Sequence, residues 1–290
     1  MMEKSSDTIL VTGAAGQLGS ELLRVLQASR VAFTATDVHE SDTGFPIELC
    51  DLRSSEDIRA LLSSRDISAV VHLAGVLPTD FLAEPVEGTA INVGGSINLF
   101  REAIRAGIRR FVFGSSLSVY GSESRIVDEG SSVAPDDPYG AAKHLLEVVG
   151  ERLHYSRQIE FAALRIARVV GPGAMSKSSA WRMELLDPQV NRVSLPFAPS
   201  ARIAMVHVAE VAKMLLLLAT NPTLRWTIYD TPAEIWSINA LQEALERHTN
   251  KNLVLGGQTE GGAVCTGERF RNEFHFALVE IFSYLTLTRV

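Results

Sequence analysis

Cysteine is nearly absent from this chain. Only two cysteines, Cys50 and Cys265, occur among 290 residues, and they lie far apart in the sequence. Two distant thiols cannot form the disulfide framework of a small secreted domain, and they lack the spacing of a metal site. We therefore expect both thiols to be reduced and buried, no metal ion to be bound, and the protein to be cytoplasmic.

Clustered positive charge is also missing. The chain has 27 Lys and Arg residues against 34 Asp and Glu residues, which gives a formal net charge of -7. No block of basic residues interrupts this balance, whereas a surface that binds nucleic acid needs such a block. We therefore expect no nucleic-acid partner.

Long apolar runs are absent as well. The most apolar segment, residues 208–220 (VAEVAKMLLLLAT), contains Glu210 and Lys213 and is shorter than a membrane span. We expect it to be a buried amphipathic helix, and we expect no contact with a membrane. The opening residues show no apolar stretch with a small-residue cleavage site, which agrees with a cytoplasmic protein.

Short β-branched runs alternate with longer helical patterns through the first 170 residues. Runs that are apolar on both sides and are joined by helices indicate a parallel sheet covered on both faces, which is a doubly wound α/β fold. The predicted strands are residues 8–13, 31–37, 45–51, 69–75, 109–116 and 159–167. The alternation stops after residue 173. We expect a sheet domain over residues 7–170 and a smaller α/β cap that binds substrate over residues 171–290.

A glycine-rich turn follows the first predicted strand. The segment ILVTGAAGQLGSELL places Gly13, Gly16 and Gly19 between a strand and a helix. Such glycines allow a tight turn, close approach of the backbone to a pyrophosphate, and close packing of helix on strand. The N–H groups at the helix start, around Gln17 and Leu18, would hold the phosphates. The pattern predicts a dinucleotide-binding domain of the Rossmann type.

Acidic residues follow the next two predicted strands. Asp37 ends the second strand, where a carboxylate accepts hydrogen bonds from a ribose diol and repels a 2′-phosphate. No Arg or Lys follows closely, so NAD is favoured over NADP as the cofactor. Asp51 and Leu52 follow the third strand, where they can meet the adenine. Asp51 is equally suited to capping the helix that starts there.

Six motifs occur in order along the chain: TGAAGQLG at 12–19, VVHLAG at 70–75, NVGGSINL at 92–99, FVFGSSLSVYG at 111–121, PYGAAK at 138–143 and LRIARVVGPG at 164–173. Their order and spacing resemble the extended short-chain dehydrogenase/reductases. Within that family they resemble the NAD-dependent epimerase/dehydratase group, which includes the UDP-sugar 4-epimerases. The resemblance covers most of the chain and is strongest over residues 8–173.

The resemblance implies a set of catalytic residues. Ser116 corresponds to the catalytic serine, Tyr139 to the acid/base and Lys143 to its partner, which also binds the nicotinamide ribose. A free phenol is a poor base at neutral pH, but the charges of Lys143 and an oxidised nicotinamide favour the phenolate. Tyr139 would take the proton of a substrate hydroxyl as hydride leaves the same carbon, and Ser116 would hold the oxygen.

The same resemblance implies further contacts with the cofactor. The HLAG motif lies beside NAD in the family, so Leu73, Ala74 and Gly75 are expected to line the site through their backbone. Asn92 is expected near the site as a supporting residue, with a structural hydrogen bond inside its helix as the alternative. His72, inside an apolar strand, is interpreted as a buried histidine whose ring nitrogens are satisfied rather than as a proton carrier.

The resemblance also narrows the reaction. Dehydratases of the family carry an Asp-Glu pair after the catalytic hydroxyl residue, whereas this chain has Leu117 and Ser118, which cannot exchange protons near neutral pH. An epimerase of a sugar or nucleotide sugar remains, as does a dehydrogenase of a sugar, a sugar acid or another small alcohol. A non-catalytic NAD-binding regulatory protein is a third hypothesis, which intact Ser116, Tyr139 and Lys143 disfavour.

The substrate side departs from the family pattern. Arg168 replaces an Asn that contacts the substrate diphosphate in UDP-sugar epimerases, and Arg202 is displaced from a later Arg position of that pattern. Both arginines could bind a diphosphate or a carboxylate. In SSAWRMELL, Trp181 could stack on a sugar or base and Arg182 could clamp an anion. A Trp packed under a loop beside a solvated Arg is the alternative.

The expected partner is therefore a small sugar or sugar nucleotide. Members of the family often form homodimers through a four-helix bundle, to which the helix with the Tyr and Lys contributes. The apolar stripe of residues 144–153 (HLLEVVGERL) suits such a contact, and burial within the monomer would produce the same pattern.

Overall fold

The protein is represented by a computed structural model that describes residues 8–40, 43–173 and 179–287. Its strands are β1 (Thr8–Thr12), β2 (Phe33–Asp37), β3 (Glu48–Leu49), β4 (Ile67–His72), β5 (Arg110–Ser116), β6 (Glu160–Ile166), β7 (Arg168–Val170), β8 (Arg192–Phe197), β9 (Arg202–His207), β10 (Ile228–Asp230), β11 (Glu234–Ser237) and β12 (Asn252–Gln258). All six strands predicted from the sequence are present, although β3 has only two residues.

The helices are α1 (Gln17–Ala28), α2 (Ser55–Ser63), α3 (Pro78–Ala83), α4 (Pro85–Thr89), α5 (Ser96–Arg105), α6 (Pro138–Tyr155), α7 (Trp181–Glu184), α8 (Val208–Thr220), α9 (Ile238–His248), α10 (Glu268–Phe274) and α11 (Tyr284–Leu287). A π-helical turn, Ala90–Gly95, leads into α5, and 3₁₀ turns occupy Leu117–Tyr120 and Ile281–Ser283.

Seven strands form one parallel sheet in the order β10-β6-β5-β4-β1-β2-β3. Successive side chains of a strand point to opposite faces. In β1, Ile9 and Val11 pack with α1 and α8, whereas Leu10 packs with α2, α5 and the remainder of the opposite face. Both faces are therefore apolar and covered by helices, and the expectation of a doubly wound parallel sheet is confirmed.

The second half of the chain builds a smaller lobe with its own core. Buried side chains of α7, β8, β9 and α9 form this core together with Ile281 and Phe282. Two small sheets support it, one with the order β11-β9-β7 and one in which β12 pairs with β8. However, α8 and β10 return to the large sheet, so segments from both sides of residue 170 complete the sheet domain.

Several expectations from composition can be compared with this fold. Cys50 and Cys265 are both free and buried. The apolar segment 208–220 is α8, which packs on the large sheet as a buried helix. Among the described residues, no helix is long and apolar enough to cross a membrane.

Candidate active site

A cleft of about 1370 Å³ lies at the carboxyl ends of β1, β2, β4 and β5 and extends to the smaller lobe. This is where doubly wound sheets bind ligands, because the loops that follow the neighbouring strands β1 and β4 lead to opposite faces of the sheet. The predicted site residues that line it are Gly13, Gly16, Gln17, Leu18, Gly19, Asp37, Asp51, Leu52, Leu73, Ala74, Gly75, Ser116, Tyr139, Lys143, Arg168, Trp181 and Arg182. Neither Asn92 nor Arg202 lines it.

The glycine turn between β1 and α1 leaves no room for side chains. Gly13 has a φ of +71°, and a Cβ there would lie 2.6 Å from the backbone nitrogen of Ala74. A Cβ on Gly19 would lie 2.1 Å from the carbonyl oxygen of Gly13. Gly16, the N-cap residue of α1, has no side chain with which to cap the helix. The first-turn N–H groups therefore remain available to an anion in the cleft.

Gln17 connects the glycine turn to the smaller lobe. Its side-chain amide donates to the carbonyl oxygens of Gly171 (2.9 Å) and Pro172 (3.2 Å), just after β7. The N–H of Gly171 in turn donates to the carbonyl of Arg182 in α7. The side chain of Gln17 thus bridges two loops, and its backbone N–H lies in the first turn of α1.

Asp37 closes the cleft beside the glycine turn. Its carboxylate accepts hydrogen bonds from the backbone N–H groups of Ala15 (3.0 Å) and Val38 (2.7 Å). These bonds fix the orientation of the carboxylate at the end of β2, where a ribose diol would meet it.

Asp51 lies farther along the same wall. Its carboxylate binds the side chain and the backbone N–H of Arg53, and the hydrogen bonds from Arg53 lower the pKa of this carboxyl group. Arg53 also pairs with Glu87. The N-cap of α2 is Ser54, whose hydroxyl accepts from the N–H of Asp57. Asp51 therefore does not serve as the N-cap, the alternative left open by the sequence.

The HLAG motif forms the wall opposite Asp37, and Asn92 holds it from behind. The amide of Asn92 is buried and exchanges two hydrogen bonds with the backbone of Val76, at 2.8 and 3.0 Å. A Cβ on Gly75 would lie 2.9 Å from this amide. Asn92 thus positions the loop that carries Leu73 and Ala74, and its bonds go to that loop rather than within its own helix.

His72 is a buried structural residue. Its two ring nitrogens bond the hydroxyl groups of Thr12 (2.7 Å) and Ser96 (2.8 Å). Burial lowers the pKa of His72 to about 3, so the ring is neutral. This agrees with the interpretation of His72 as a satisfied histidine at the end of its strand.

Ser116, Tyr139 and Lys143 meet on the central wall of the cleft. Ser116 ends β5, while Tyr139 and Lys143 lie one turn apart at the start of α6. The side chain of Asp137 caps this helix by accepting from the N–H of Gly140 at 2.7 Å. Nζ of Lys143 lies 5.6 Å from the centre of the Tyr139 ring.

Burial dominates the electrostatics of these side chains. Tyr139 is only 8% exposed, and burial raises its pKa to about 12, with a further rise from Asp137. The charge of Arg182 and a hydrogen bond with Ser116 act in the opposite direction. Burial also lowers the pKa of Lys143 to about 8. Among the described residues, Arg182 is the cation whose charge lowers the pKa of Tyr139, a role that the sequence did not indicate.

A buried ion pair between Glu147 and Arg165 lies next to Lys143. Nζ of Lys143 donates to the carbonyl oxygen of Gly114 at 2.6 Å. One turn later in α6, Glu147 accepts from Ser115 (2.6 Å) and from Arg165 (3.0 and 2.8 Å). The charge of Glu147 opposes the effect of burial on the pKa of Lys143. The sequence analysis did not single out Glu147. The pattern that could have done so is its spacing of four residues from Lys143, which places both side chains on one face of a helix.

Two arginines define the substrate end of the cleft. The guanidinium of Arg168, in β7, lies over the ring of Phe197 at 5.2 Å, and that of Arg182, in α7, lies over the ring of Trp181 at 5.7 Å. Trp181 is only 5% exposed and packs edge-to-face on Phe197. Arg202 is exposed at the start of β9 and does not line the cleft. Phe197 lies in β8, and no motif of the sequence had indicated it.

The order of elements and the cleft match a known family. The family model described as "NAD dependent epimerase/dehydratase family" matches residues 9–228. The chain belongs to this epimerase/dehydratase family. The resemblance inferred from the motifs is thereby confirmed, and so are the expectations of an enzyme family and of NAD as its cofactor.

Curated relatives in the epimerase/dehydratase family include UDP-glucose 4-epimerases. The chain is 29% identical over 175 residues to that of Azospirillum brasilense, covering 58% of this chain and 50% of the relative. It is 30% identical over 179 residues to that of Vibrio cholerae, covering 59% of this chain and 54% of the relative. The matched part thus spans about half the length of the curated relatives.

Solved structures with the epimerase/dehydratase fold superpose on nearly the whole chain. The L-threonine dehydrogenase of Phytophthora infestans superposes with a TM-score of 0.87, at 16% identity and 97% coverage of both chains. The UDP-glucose 4-epimerase of Thermus thermophilus, solved in complex with NAD, gives a TM-score of 0.81 at 21% identity and 97% coverage of both chains. These similarities establish the fold.

The cleft has the features that NAD requires. The backbone at Gly13 approaches the cleft without a side chain, the start of α1 offers N–H groups for the phosphates, and Asp37 offers an acceptor for the ribose diol. Tyr139 and Lys143 lie farther along the same cleft, where the nicotinamide end would reach. The donor set of this family member therefore fits the cofactor.

Proposed function

We propose that the protein catalyses NAD-dependent hydride transfer at a hydroxyl-bearing carbon of a sugar or nucleotide sugar. The observation that carries this proposal is the convergence of Ser116, Tyr139 and Lys143 on the central wall of a cleft that also contains the glycine turn. A protein that only binds NAD has no chemical need for these three side chains together.

Each side chain has a distinct task in this proposal. Tyr139 takes the proton of the substrate hydroxyl, and Ser116 holds the oxygen as its charge changes. Arg182 and the hydrogen bond with Ser116 lower the pKa of Tyr139, against burial. Lys143 presents a cation beside the ring. NAD, when bound, accepts the hydride, and its positive nicotinamide favours the phenolate.

A dehydrogenase is the second candidate function. An epimerase returns the hydride to the same carbon, whereas a dehydrogenase of a sugar, sugar acid or other small alcohol releases NADH. The curated UDP-glucose 4-epimerases favour the first candidate. The departure from the epimerase pattern at Arg168, which stands where UDP-sugar epimerases carry an Asn, favours the second. The residues after Ser116, Leu117 and Ser118, still argue against a dehydratase.

The Tyr139→Phe variant tests the proposed chemistry. Removing the hydroxyl should lower kcat by about 10²- to 10⁴-fold, the usual contribution of general acid–base catalysis. NAD affinity, measured by titration calorimetry, should stay unchanged. Tyr155→Phe is a matched control, because Tyr155 is exposed at the end of the same helix. Full turnover in Tyr139→Phe would exclude the mechanism.

One assay separates the two candidate reactions. The protein is incubated with NAD and sugars, sugar acids or nucleotide sugars, and NADH absorbance is followed together with product stereochemistry. An inverted carbon without net NADH identifies an epimerase, and stoichiometric NADH identifies a dehydrogenase. Tight NAD binding with no turnover of any substrate would favour a regulatory protein instead.

A cytoplasmic homodimer belongs to the same proposal. Leu145 and Val148 lie three residues apart on α6 and are 49% and 43% exposed. Their apolar surface suits a contact with a second copy. Sedimentation of the wild type and of a Leu145→Lys variant tests this, since the charged variant should dissociate.

A further inference from the structure

The substrate end of the cleft holds its two arginines on a fixed aromatic base. Trp181 and Phe197 are nearly buried, and their ring centres lie 5.9 Å apart in an edge-to-face pair. Arg168 lies over Phe197, and Arg182 lies over Trp181. The guanidinium groups of both arginines thus lie against aromatic rings, which restricts their freedom.

Among the described residues, no acidic side chain pairs with Arg168 or Arg182. Within those residues, the side chains of Arg168 and Arg182 make no hydrogen bond or ion pair, and Nε of Arg182 is buried without a partner. Burial lowers the pKa of Arg168 to about 10, and the charge of Arg182 adds to that effect. Two neighbouring, half-buried cations without a counterion are costly, unless an anion binds there.

Two acids that line the same cleft are bound elsewhere. The carboxylate of Asp136 accepts from the N–H and hydroxyl of Ser122. Glu260 accepts from the N–H of Ser124 at 2.8 Å. Among the described residues these acids therefore leave the arginine pair open to an external anion.

The arginine pair lies close to the reacting group. Arg182 and Tyr139 affect each other electrostatically, because the charge of Arg182 lowers the pKa of Tyr139 and Tyr139 raises that of Arg182. Arg182 and Tyr139 line the same cleft, so an anion held by Arg182 would face the space in which Tyr139 meets the substrate hydroxyl. A carboxylate a few bonds from the carbon that bears this hydroxyl meets this condition. A UDP-hexose oxidised at C4 carries its diphosphate on the far side of the ring.

We propose that Arg168 and Arg182 form a carboxylate subsite and that the substrate is a small hydroxy acid, such as a sugar acid. This inference rests on the proposed hydride transfer at Tyr139 and selects the second candidate reaction, the dehydrogenase. The hydroxyl-bearing carbon loses a hydride to NAD and its hydroxyl loses a proton to the Tyr139 phenolate, which yields a keto acid and NADH, and Tyr139 then releases the proton to solvent. The planar fork of Arg matches a carboxylate through paired hydrogen bonds.

Anion binding tests the subsite without turnover. The NADH-bound protein is titrated with malonate, inorganic phosphate and UDP at constant ionic strength, and the melting temperature is recorded. Malonate should stabilise the wild type, and Arg182→Met or Arg168→Met should weaken its binding by about 10- to 100-fold. Arg202→Met, which removes an exposed Arg of the same lobe, should bind malonate normally.

Matched substrates test the carboxylate itself. Gluconate is compared with glucitol, and glucuronate with glucose, because each pair differs in a carboxylate against a neutral group. The acid of at least one pair should be oxidised about 10-fold or more faster in kcat/KM, and Arg182→Met should remove this preference. Arg182→Lys should restore part of it, since Lys keeps the charge but not the fork.

Three results would overturn the subsite. These are equal binding of malonate by the wild type and Arg182→Met, arginine-dependent binding of UDP or phosphate but not malonate, and equal turnover of acids and neutral partners. The proposed mechanism fails by a different result, namely full turnover in Tyr139→Phe. That variant should still bind malonate, so the two failures can be told apart.

Discussion

The two ends of the cleft satisfy their charges in opposite ways. At the cofactor end, the carboxylate of Asp37 accepts two backbone N–H groups and that of Asp51 is held by Arg53. At the substrate end, Arg168 and Arg182 lack such partners among the described residues, and each is stacked on an aromatic ring instead. The charges of the cofactor end are thus satisfied within the chain, whereas the proposed anion would satisfy those of the substrate end.

This difference has a thermodynamic meaning. Charges that are bound within the chain stabilise the fold, whereas uncompensated charges at a site raise its free energy until a counterion arrives. The two ends are also mechanically linked, because Gln17 of α1 holds Gly171 and Gly171 holds the backbone of Arg182. The loop that shapes the cofactor end thus supports an arginine of the substrate end.

The largest effect is expected from Gly13→Ala at the cofactor end. A Cβ there meets the backbone of Ala74 at 2.6 Å and sits on a residue with a φ of +71°. NAD affinity should fall by about 100-fold, which corresponds to roughly 3 kcal/mol. Gly107→Ala is the matched control, because Gly107 has a φ of +72° but open space around it. Equal NAD affinity in both variants would mean that the close approach does not shape the cofactor end.

The next effect concerns Lys143, between the two ends. Its pKa is lowered to about 8 by burial, so the folded protein binds this proton less tightly than the unfolded chain does. The wild type should therefore gain stability over Lys143→Met as the pH rises from about 8 to 10.5, by roughly 3 kcal/mol. Urea unfolding of both proteins at several pH values measures the difference. A difference independent of pH would contradict the lowered pKa.

A smaller effect of opposite sign is expected at the substrate end. Arg182→Met leaves an apolar side chain beside Trp181 and removes a charge without a described partner. The free energy of unfolding of the free protein should increase by about 1 kcal/mol. Asp37→Ala, in contrast, should decrease it, because two backbone N–H groups lose their acceptor. If both variants were destabilised, the contrast between the two ends would be wrong.

Substitutions that remove the charge of Asp37 or of Asp51 test the selectivity of the cofactor end. Asp37→Asn should reduce the preference for NAD over NADP by about 10-fold, because the carboxylate repels the 2′-phosphate. Asp51→Asn should change it less, since Arg53 already balances that charge. Dissociation constants of both cofactors for both variants give the comparison. A larger change for Asp51→Asn would reverse the assigned roles.

The sequence predictions were most accurate where the interactions join residues close together in the sequence. The glycine turn, Asp37 at the end of β2 and the pair Tyr139 and Lys143 are local patterns whose backbone geometry is set within a few residues. The sequence left the N-cap of α2 undecided, because Asp and Ser are both good N-cap residues. In the structure the hydroxyl of Ser54, and not the carboxylate of Asp51, caps the helix.

The division of the chain shows the same limit. The alternation of strands and helices ends near residue 170, but α8 and β10 return to the large sheet because their apolar faces complete its core. Such a return depends on packing partners that lie far away in the sequence. It could not be read from the local pattern of residues 208–230.

The sequence by itself determined the doubly wound fold, the NAD-type turn and the identity of the residues around Tyr139, because short-range periodicity and glycine geometry encode them. The tertiary structure alone decided that Arg182 lies near Tyr139 and Arg168, and that Arg202 does not. The physical reason is that α7 packs against β7 through the core of the smaller lobe. The charge of the substrate end depends on that packing.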